Sequence, residues 1–244
     1  MNKKIKKTDS SNNTNYFFKA VEIQPKDDTY HVCSNVTNIE WWYFDAIFNN
    51  GYSVHIGFRV YHIKKIGLVQ SRINIYKNGK LISKGLKIDF FSKFFVDPYF
   101  PIIKINDKTV VGFDKEYFEK NKQWRYIINF SIKNVKLNLI FTGTTEGWKI
   151  ETDDTSWVVP LPKAKVSGEI ILSEEKIKTE GIGYHDHNWG YSITTAMKNF
   201  GWYWGRISSE TMSITWVKII QNYLKSNVIA VVNKDNDKFY NISP

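Results

Sequence analysis

The sequence predicts an antiparallel all-β protein built on a β-barrel, with a second, smaller β domain following it. Three observations carry this expectation. Short strand-like runs succeed one another at hairpin spacing between Ile39 and Thr145. Two of the connections contain Asn-Gly, the pair best suited to tight hairpin turns because both residues tolerate positive φ. Aromatic residues are dense, with nine Trp, fourteen Tyr and sixteen Phe in 244 residues, and such rings suit strands and apolar cavities.

The elements follow in order. Residues 1–15 are polar and predicted to be disordered. The first domain is expected over residues 16–163. Glu40–Phe48 meets Tyr52–Ile63 across Asn49-Asn50-Gly51, and Arg72–Lys77 meets Lys80–Lys84 across Asn78-Gly79. Trp124–Ile132 and Lys136–Thr142 form a third pair, with further strands at 85–91 and 108–113. About eight strands of this kind favour a barrel or a sandwich. In Tyr52–Ile63, Val54, Ile56, Phe58 and Val60 share one face; His55, Gly57, Arg59 and Tyr61 share the other. The first face is core and the second mixed, a pattern that suits a barrel and a sandwich equally.

Asp153–Pro162, with two prolines and two acids, reads as a linker or a crossing strand. Strand signals resume at Lys165–Leu172, Lys178–Asp186, Gly201–Ile207, Met212–Ile220 and Asn227–Asn233. Tyr191–Asn199 alone has a helical look. The second domain, residues 164–244, therefore holds about five strands. Five rarely close a barrel unaided, so this domain is expected to be partial and to use the first as a wall, or the sequence to be a fragment.

The net charge of +10 comes almost wholly from Lys scattered among Asn and Ile, and Arg occurs only at 59, 72, 125 and 206. This is a compositional bias rather than a nucleic-acid footprint, and no nucleic-acid partner is expected. The lone cysteine, Cys33, excludes an internal disulfide and is weak support for a thiol enzyme. No stretch resembles a secretory signal or a membrane-spanning helix. The expectation is a soluble cytoplasmic protein without membrane insertion. No phosphate-binding glycine loop, nucleophile elbow or Cys-x-x-Cys pair occurs.

The densest reactive cluster is Tyr184-His185-Asp186-His187-Asn188-Trp189, bracketed by Gly181, Gly183 and Gly190. Glycines in a strand mark a bulge or a close approach. An extended backbone puts Tyr184, Asp186 and Asn188 on one face and His185, His187 and Trp189 on the other. His185 and His187 share the spacing of two metal ligands, but a site needs a third, from His55 or His62. Hydrogen-bonded structural histidines are the favoured alternative, and no metal is expected. Asp186 can act as an acid only if an apolar pocket raises its pKa from about 3.9; otherwise it is an ionised hydrogen-bond acceptor. Two aromatic triplets, Trp41-Trp42-Tyr43 and Trp202-Tyr203-Trp204, either line a cavity for an apolar ligand or pack in the core.

Four motifs occur in order: EWWYFD (Glu40–Asp45), WVVPLP (Trp157–Pro162), GIGYHDHNWG (Gly181–Gly190) and GWYWGRI (Gly201–Ile207). Together they resemble the hydroxyneurosporene synthase family, also called the carotenoid 1,2-hydratase or AttH-like family, over roughly residues 36–210. The resemblance implies two lipocalin-like (calycin) barrels packed together. It also implies cofactor-free, acid-catalysed addition of water to a double bond of an apolar isoprenoid or lipid-like molecule. On the matching positions it implies Asp186 as the acid, Tyr184 as its partner and Trp157 as a cation stabiliser. Trp41, Trp42, Tyr43, His185, His187, Asn188, Trp189, Trp202 and Trp204 are the candidate ligand contacts. Thr155 stands where the carotenoid hydratases carry a histidine, and HDHNWG also departs from them, which points to the AttH-like branch. A non-catalytic carrier of a hydrophobic small molecule and a Diels–Alderase-like pericyclase scaffold are the alternatives.

Overall fold

The computed structural model describes residues 19–32, 37–63, 66–151, 155–192, 201–220, 226–235 and 238–242. In chain order the strands are β1 (Val21–Glu22), β2 (Thr37–Phe48), β3 (Tyr52–Ile63), β4 (Ile66–Lys77), β5 (Lys80–Phe90), β6 (Phe94–Val96), β7 (Ile103–Ile105) and β8 (Lys108–Phe113). After helix α1 (Lys115–Asn121) come β9 (Arg125–Ile132), β10 (Val135–Gly143), β11 (Trp148–Glu151), β12 (Ser156–Leu172) and β13 (Glu175–Tyr191). The last four are β14 (Gly201–Ser208), β15 (Met212–Ile220), β16 (Ser226–Lys234) and β17 (Phe239–Ile242).

Two antiparallel sheets result. The larger runs β5-β4-β3-β2-β13-β12-β10-β9-β8-β7-β6, with β11 pairing β12 and β1 pairing β11. It curls into a nearly closed barrel. The smaller is the meander β14-β15-β16-β17. The barrel interior is filled by one face of each strand: Trp42, Phe44, Ala46 and Phe48 from β2, Val54, Ile56, Phe58 and Val60 from β3, and Ile73 and Ile75 from β4, all buried. This is the period-2 pattern made physical. A second core lies between the outer face of the barrel and the smaller sheet, where Trp148, Ile150, Val159 and Tyr184 meet Val217, Ile229 and Val231.

The proline-rich stretch is a crossing strand. The first part of β12, Ser156–Val159, pairs β11, and its last part, Ala164–Leu172, pairs β10. Pro160 and Pro162 fall between these two segments, where a missing N–H breaks no ladder on that side, and the pairing with β13 shifts register there. The expected domain boundary near residue 163 falls inside this unbroken strand. Helix α1 has no counterpart in the sequence-based expectation; Asp114 caps it by accepting from the Tyr117 amide at 3.0 Å. The expected helical stretch at Tyr191–Asn199 lies, apart from its first two residues, outside the described residues, as do Cys33 and residues 1–15.

Candidate functional site: an acid in the wall between two sheets

Strand β13 sits between β2 and β12, so its backbone is hydrogen-bonded on both edges and its two faces look into different compartments. The glycines of its motif explain how it fits. A Cβ on Gly181 would stand 2.0 Å from the Ile47 carbonyl oxygen, and one on Gly183 2.7 Å from that of Asp45. These are the close approaches. Gly190, with φ of +86°, lies at the register shift between Asn188 and Tyr191, and is the bulge.

The outward face carries Tyr184, Asp186 and Asn188. The Tyr184 hydroxyl donates to Asp186 Oδ2 at 2.9 Å, and the Trp157 indole N–H donates to the same oxygen at 3.1 Å. The Asn188 amide reaches Asp186 Oδ1 at 3.3 Å. Burial pushes the Asp186 carboxyl up to about 6, against the opposing pull of the Tyr184 and Trp157 hydrogen bonds. Asp186 and Asn188 form part of the wall of a cavity of about 520 Å³ between the barrel and the smaller sheet. The remaining wall is largely aromatic and aliphatic, with Trp41, Tyr43, Trp157, Tyr191, Trp202 and Trp204 prominent and Ile219 and Ile229 opposite. Trp204 stacks on Tyr184 with centroids 5.8 Å apart, and meets Tyr43 edge-on at 5.5 Å. An ion pair between Arg206 of β14 and Asp45 of β2 ties the sheets together beside the cavity. The Tyr43 hydroxyl also donates to Asp45, at 3.0 Å.

The inward face carries His185, His187 and Trp189, and here the chain builds a ladder of buried charge. His185 Nδ1 donates to the Tyr43 carbonyl at 2.9 Å, and its Nε2 faces Asp28 Oδ2 at 2.9 Å. The Tyr126 hydroxyl donates to the same Asp28 oxygen at 2.6 Å. His187 Nε2 meets Glu40 Oε1 at 2.8 Å. Its Nδ1 lies 3.2 Å from Asp28 Oδ1, close enough to pair as ions but not aligned as a hydrogen bond. Burial alone would raise the Asp28 carboxyl; His185 and His187 overcome it and hold Asp28 well below the ordinary carboxylate range. Burial likewise works against a charged His187, but the Asp28 and Glu40 carboxylates outweigh it and raise its pKa. Phe44 stacks on His185 at 3.7 Å, Trp42 on His187 at 4.2 Å, and Trp189 on His31 at 3.6 Å.

The structure thus gathers Asp186, Asn188, Trp157, Trp41, Tyr43, Trp202 and Trp204 around one cavity, with Tyr184 buried behind Asp186. Trp42, His185, His187 and Trp189 lie on the barrel side of the sheet, away from that cavity. His55 and His62 are not ligand partners for this pair. His55 contacts Asn74 at 3.3 Å on the cavity side, and His62 bonds the Tyr30 hydroxyl at 2.8 Å. Among the described residues, His31, Glu40 and His187 bring three ligand-type atoms within 4.8 Å. Direct contacts already join all three residues, since Glu40 Oε1 meets His187 Nε2 at 2.8 Å and His31 Nδ1 at 3.2 Å. Sequence reasoning missed Asp28, Glu40, Asp45 and Arg206. For Glu40 a signal existed: it shares the core-facing register of Trp42 and Phe44, where a charge requires a buried partner.

No protein-family model and no curated protein matches the sequence. Solved structures do match in fold. An AttH protein from Nitrosomonas europaea superposes with a TM-score of 0.64 at 19% identity, over 93% of this chain and 73% of that one. Kievitone hydratase from Nectria haematococca superposes with a TM-score of 0.52 at 13% identity, over 89% of this chain and 65% of that one. The chain therefore spans about two thirds to three quarters of the length of these neighbours. At the level of fold it is AttH-like: a lipocalin-type antiparallel barrel with a second, smaller sheet. No helix among the described residues is long and apolar enough to cross a membrane.

Proposed function

We propose that the cavity between the barrel and the smaller sheet binds an apolar isoprenoid or lipid-like molecule, and that Asp186 protonates one of its carbon–carbon double bonds so that water adds. The observation that carries this reading is a single buried carboxyl, with a pKa pushed up to about 6, set in an aromatic cavity wall. A carboxyl so placed keeps its proton to a pH well above that of an ordinary aspartate and is better matched to general acid work. Oδ2 accepts from both Tyr184 and Trp157, whereas Oδ1 has only the longer Asn188 contact at 3.3 Å, so Oδ1 is the oxygen better placed to carry the proton.

The chemistry follows from that placement. The Oδ1 proton passes to one alkene carbon and the π electrons form the new C–H bond. The other carbon becomes cationic, within reach of ring faces that attract cations. A water oxygen bonds to that carbon and gives its extra proton back to Asp186. One H and one OH have then been added, and the acid is restored. The likeness in fold to kievitone hydratase supports the reading, because a scaffold of this kind houses a hydratase there.

The apolar wall by itself would also suit a carrier, and product formation separates the two. Incubation with a terpenoid and lipid extract, followed by mass spectrometry, is expected to show a compound gaining one water with the wild type and not with Asp186→Asn. Recovery of bound but unchanged compounds from both proteins would favour the carrier.

A further inference from the structure

The outer face of β2, β3 and β4 contains a second, smaller feature that the hydration scheme leaves unused. Three adjacent strands place nine residues there in a grid. Trp41, Tyr43 and Asp45 of β2 lie opposite Arg59, Gly57 and His55 of β3. Those lie opposite Gln70, Arg72 and Asn74 of β4. The centre of the grid is Gly57, which has no side chain. A Cβ placed there would meet only His55 Nε2, at 3.6 Å, so the missing side chain leaves a well floored by backbone.

The well has a volume of about 60 Å³ and shares Trp41, Tyr43, His55 and Arg59 with the large cavity. Its rim is rich in donors. Arg59 and Arg72 are two of only four arginines in the chain, and no carboxylate pairs with either among the described residues. Arg59 is held over the Trp41 ring, 5.2 Å from its centroid. His55 Nδ1 accepts from the Asn74 amide, which puts the ring proton of the neutral tautomer on Nε2, beside the open floor. Burial, and then the charges of Arg72 and Arg59, keep His55 neutral, with its pKa lowered to about 4. The one acid of the grid, Asp45, is already engaged by Arg206 and Tyr43.

We propose that this well is a head-group subsite, and that the ligand is an amphiphile: an apolar chain in the large cavity ending in a carboxylate or phosphate held by Arg59, Arg72 and His55. The inference rests on the cavity being the ligand site. It deepens that reading by fixing the ligand's polarity and direction. Arginine forks match both anions, and charge-assisted hydrogen bonds are the strong ones. The register also sets a distance. Asp186 lies opposite Tyr43, and Tyr43 opposite Gly57, so two strand spacings, about 10 Å, separate the acid from the well. The double bond that reacts is therefore one well along the chain, not the one next to the anion.

Isothermal titration of the full chain with farnesol, farnesoic acid and farnesyl phosphate tests this. The acid and the phosphate are expected to bind about tenfold or more tightly than the alcohol, and their advantage to shrink at high salt. Whichever anion binds more tightly identifies the natural head group as carboxylate or phosphate. The double variant Arg59→Gln/Arg72→Gln is expected to bring both anions down to the level of farnesol. Gly57→Val, which fills the well with a residue that strands favour, is expected to do the same by a different route. Equal affinity for all three ligands in the wild type, or an anion preference that survives both variants, overturns the head-group subsite while leaving the cavity reading in place. Failure of all three to bind overturns both.

Discussion

His185 and Asp186 are adjacent in the chain, yet their side chains bond on opposite sides of β13. His185 reaches Asp28 in the barrel interior at 2.9 Å, while Asp186 receives Tyr184 and Trp157 from the cavity side at 2.9 and 3.1 Å. One strand thus separates a buried charged network from a carboxyl whose burial favours its neutral form. The barrel side fixes where β13 lies, and the cavity side is left to meet a ligand.

The first prediction concerns stability. The folded pKa of Asp186 is raised, so the folded state binds the proton more tightly than the unfolded chain. Stability linked to this group is fully present below about 3.8 and is lost as pH rises through about 6. At pH 8 the ionised, buried carboxylate costs on the order of 2–3 kcal/mol. Asp186→Asn is expected to be the more stable protein at pH 8 by about that amount, with the difference vanishing near pH 3. Urea denaturation at the two pH values checks it.

The second concerns Tyr184. Its hydroxyl donates to Asp186 and so favours the ionised form. Tyr184→Phe removes that donor, and the Asp186 titration midpoint is expected to move upward. A purely structural role for Tyr184 would lower stability without moving the midpoint. The hydration rate, which needs the protonated acid, should fall as pH rises above the midpoint and should do so later in the variant.

The third concerns the barrel network. Asp28→Ala would leave His185 and His187 buried without their shared carboxylate, at an expected cost of about 3–5 kcal/mol. The wild type carries two pH signatures here. The depressed Asp28 contributes stability above its ordinary value of 3.8 that is lost on acidification. The raised His187 contributes stability that is fully present below 6.5 and lost as pH climbs through its folded value. Thermal melts across pH for wild type and His187→Gln separate the two, because in the variant the loss above 6.5 should disappear while the acid loss persists, reduced to the part that His185 supports.

The fourth concerns the bond between the sheets. Arg206→Met leaves Asp45 buried with only Tyr43, and Asp45→Asn leaves Arg206 without its anion. Each single change is expected to destabilise more than its share of the double change. A double-mutant cycle should return a coupling on the order of 1–3 kcal/mol, and a coupling near zero would mean that other contacts hold the sheets together.

Much of the fold was legible because it follows from local rules. Asn49-Asn50-Gly51 and Asn78-Gly79 form the two expected hairpin turns. Alternation separated Tyr184, Asp186 and Asn188 from His185, His187 and Trp189, and the structure places these sets in different compartments. Alternation has no sign, however: it could not say which set met an apolar cavity. The partners that decide this come from far along the chain. Asp28 ends a single 3-10 turn, Pro25–Asp28, 157 residues before His185, and no pattern in the sequence ties the two together. The Gly57 well was hidden for a similar reason. The mixed face of β3 is visible in sequence, but its meaning depends on Arg72 of β4 and Tyr43 of β2 falling opposite the glycine, which register alone provides.

Asp186 as an acid of raised pKa at the wall of the cavity can be titrated directly, without any substrate. Infrared difference spectroscopy follows the protonated carboxyl stretch, with the Asp186 band assigned by its loss in Asp186→Asn. A midpoint near pH 6 is expected for that band, about two pH units above an ordinary aspartate, which leaves the proton on roughly a tenth of molecules at pH 7 where an ordinary aspartate would keep it on about one in a thousand. A midpoint at or below the ordinary aspartate value of 3.8 would contradict it and leave Asp186 a hydrogen-bond acceptor that positions Tyr184 and Trp157.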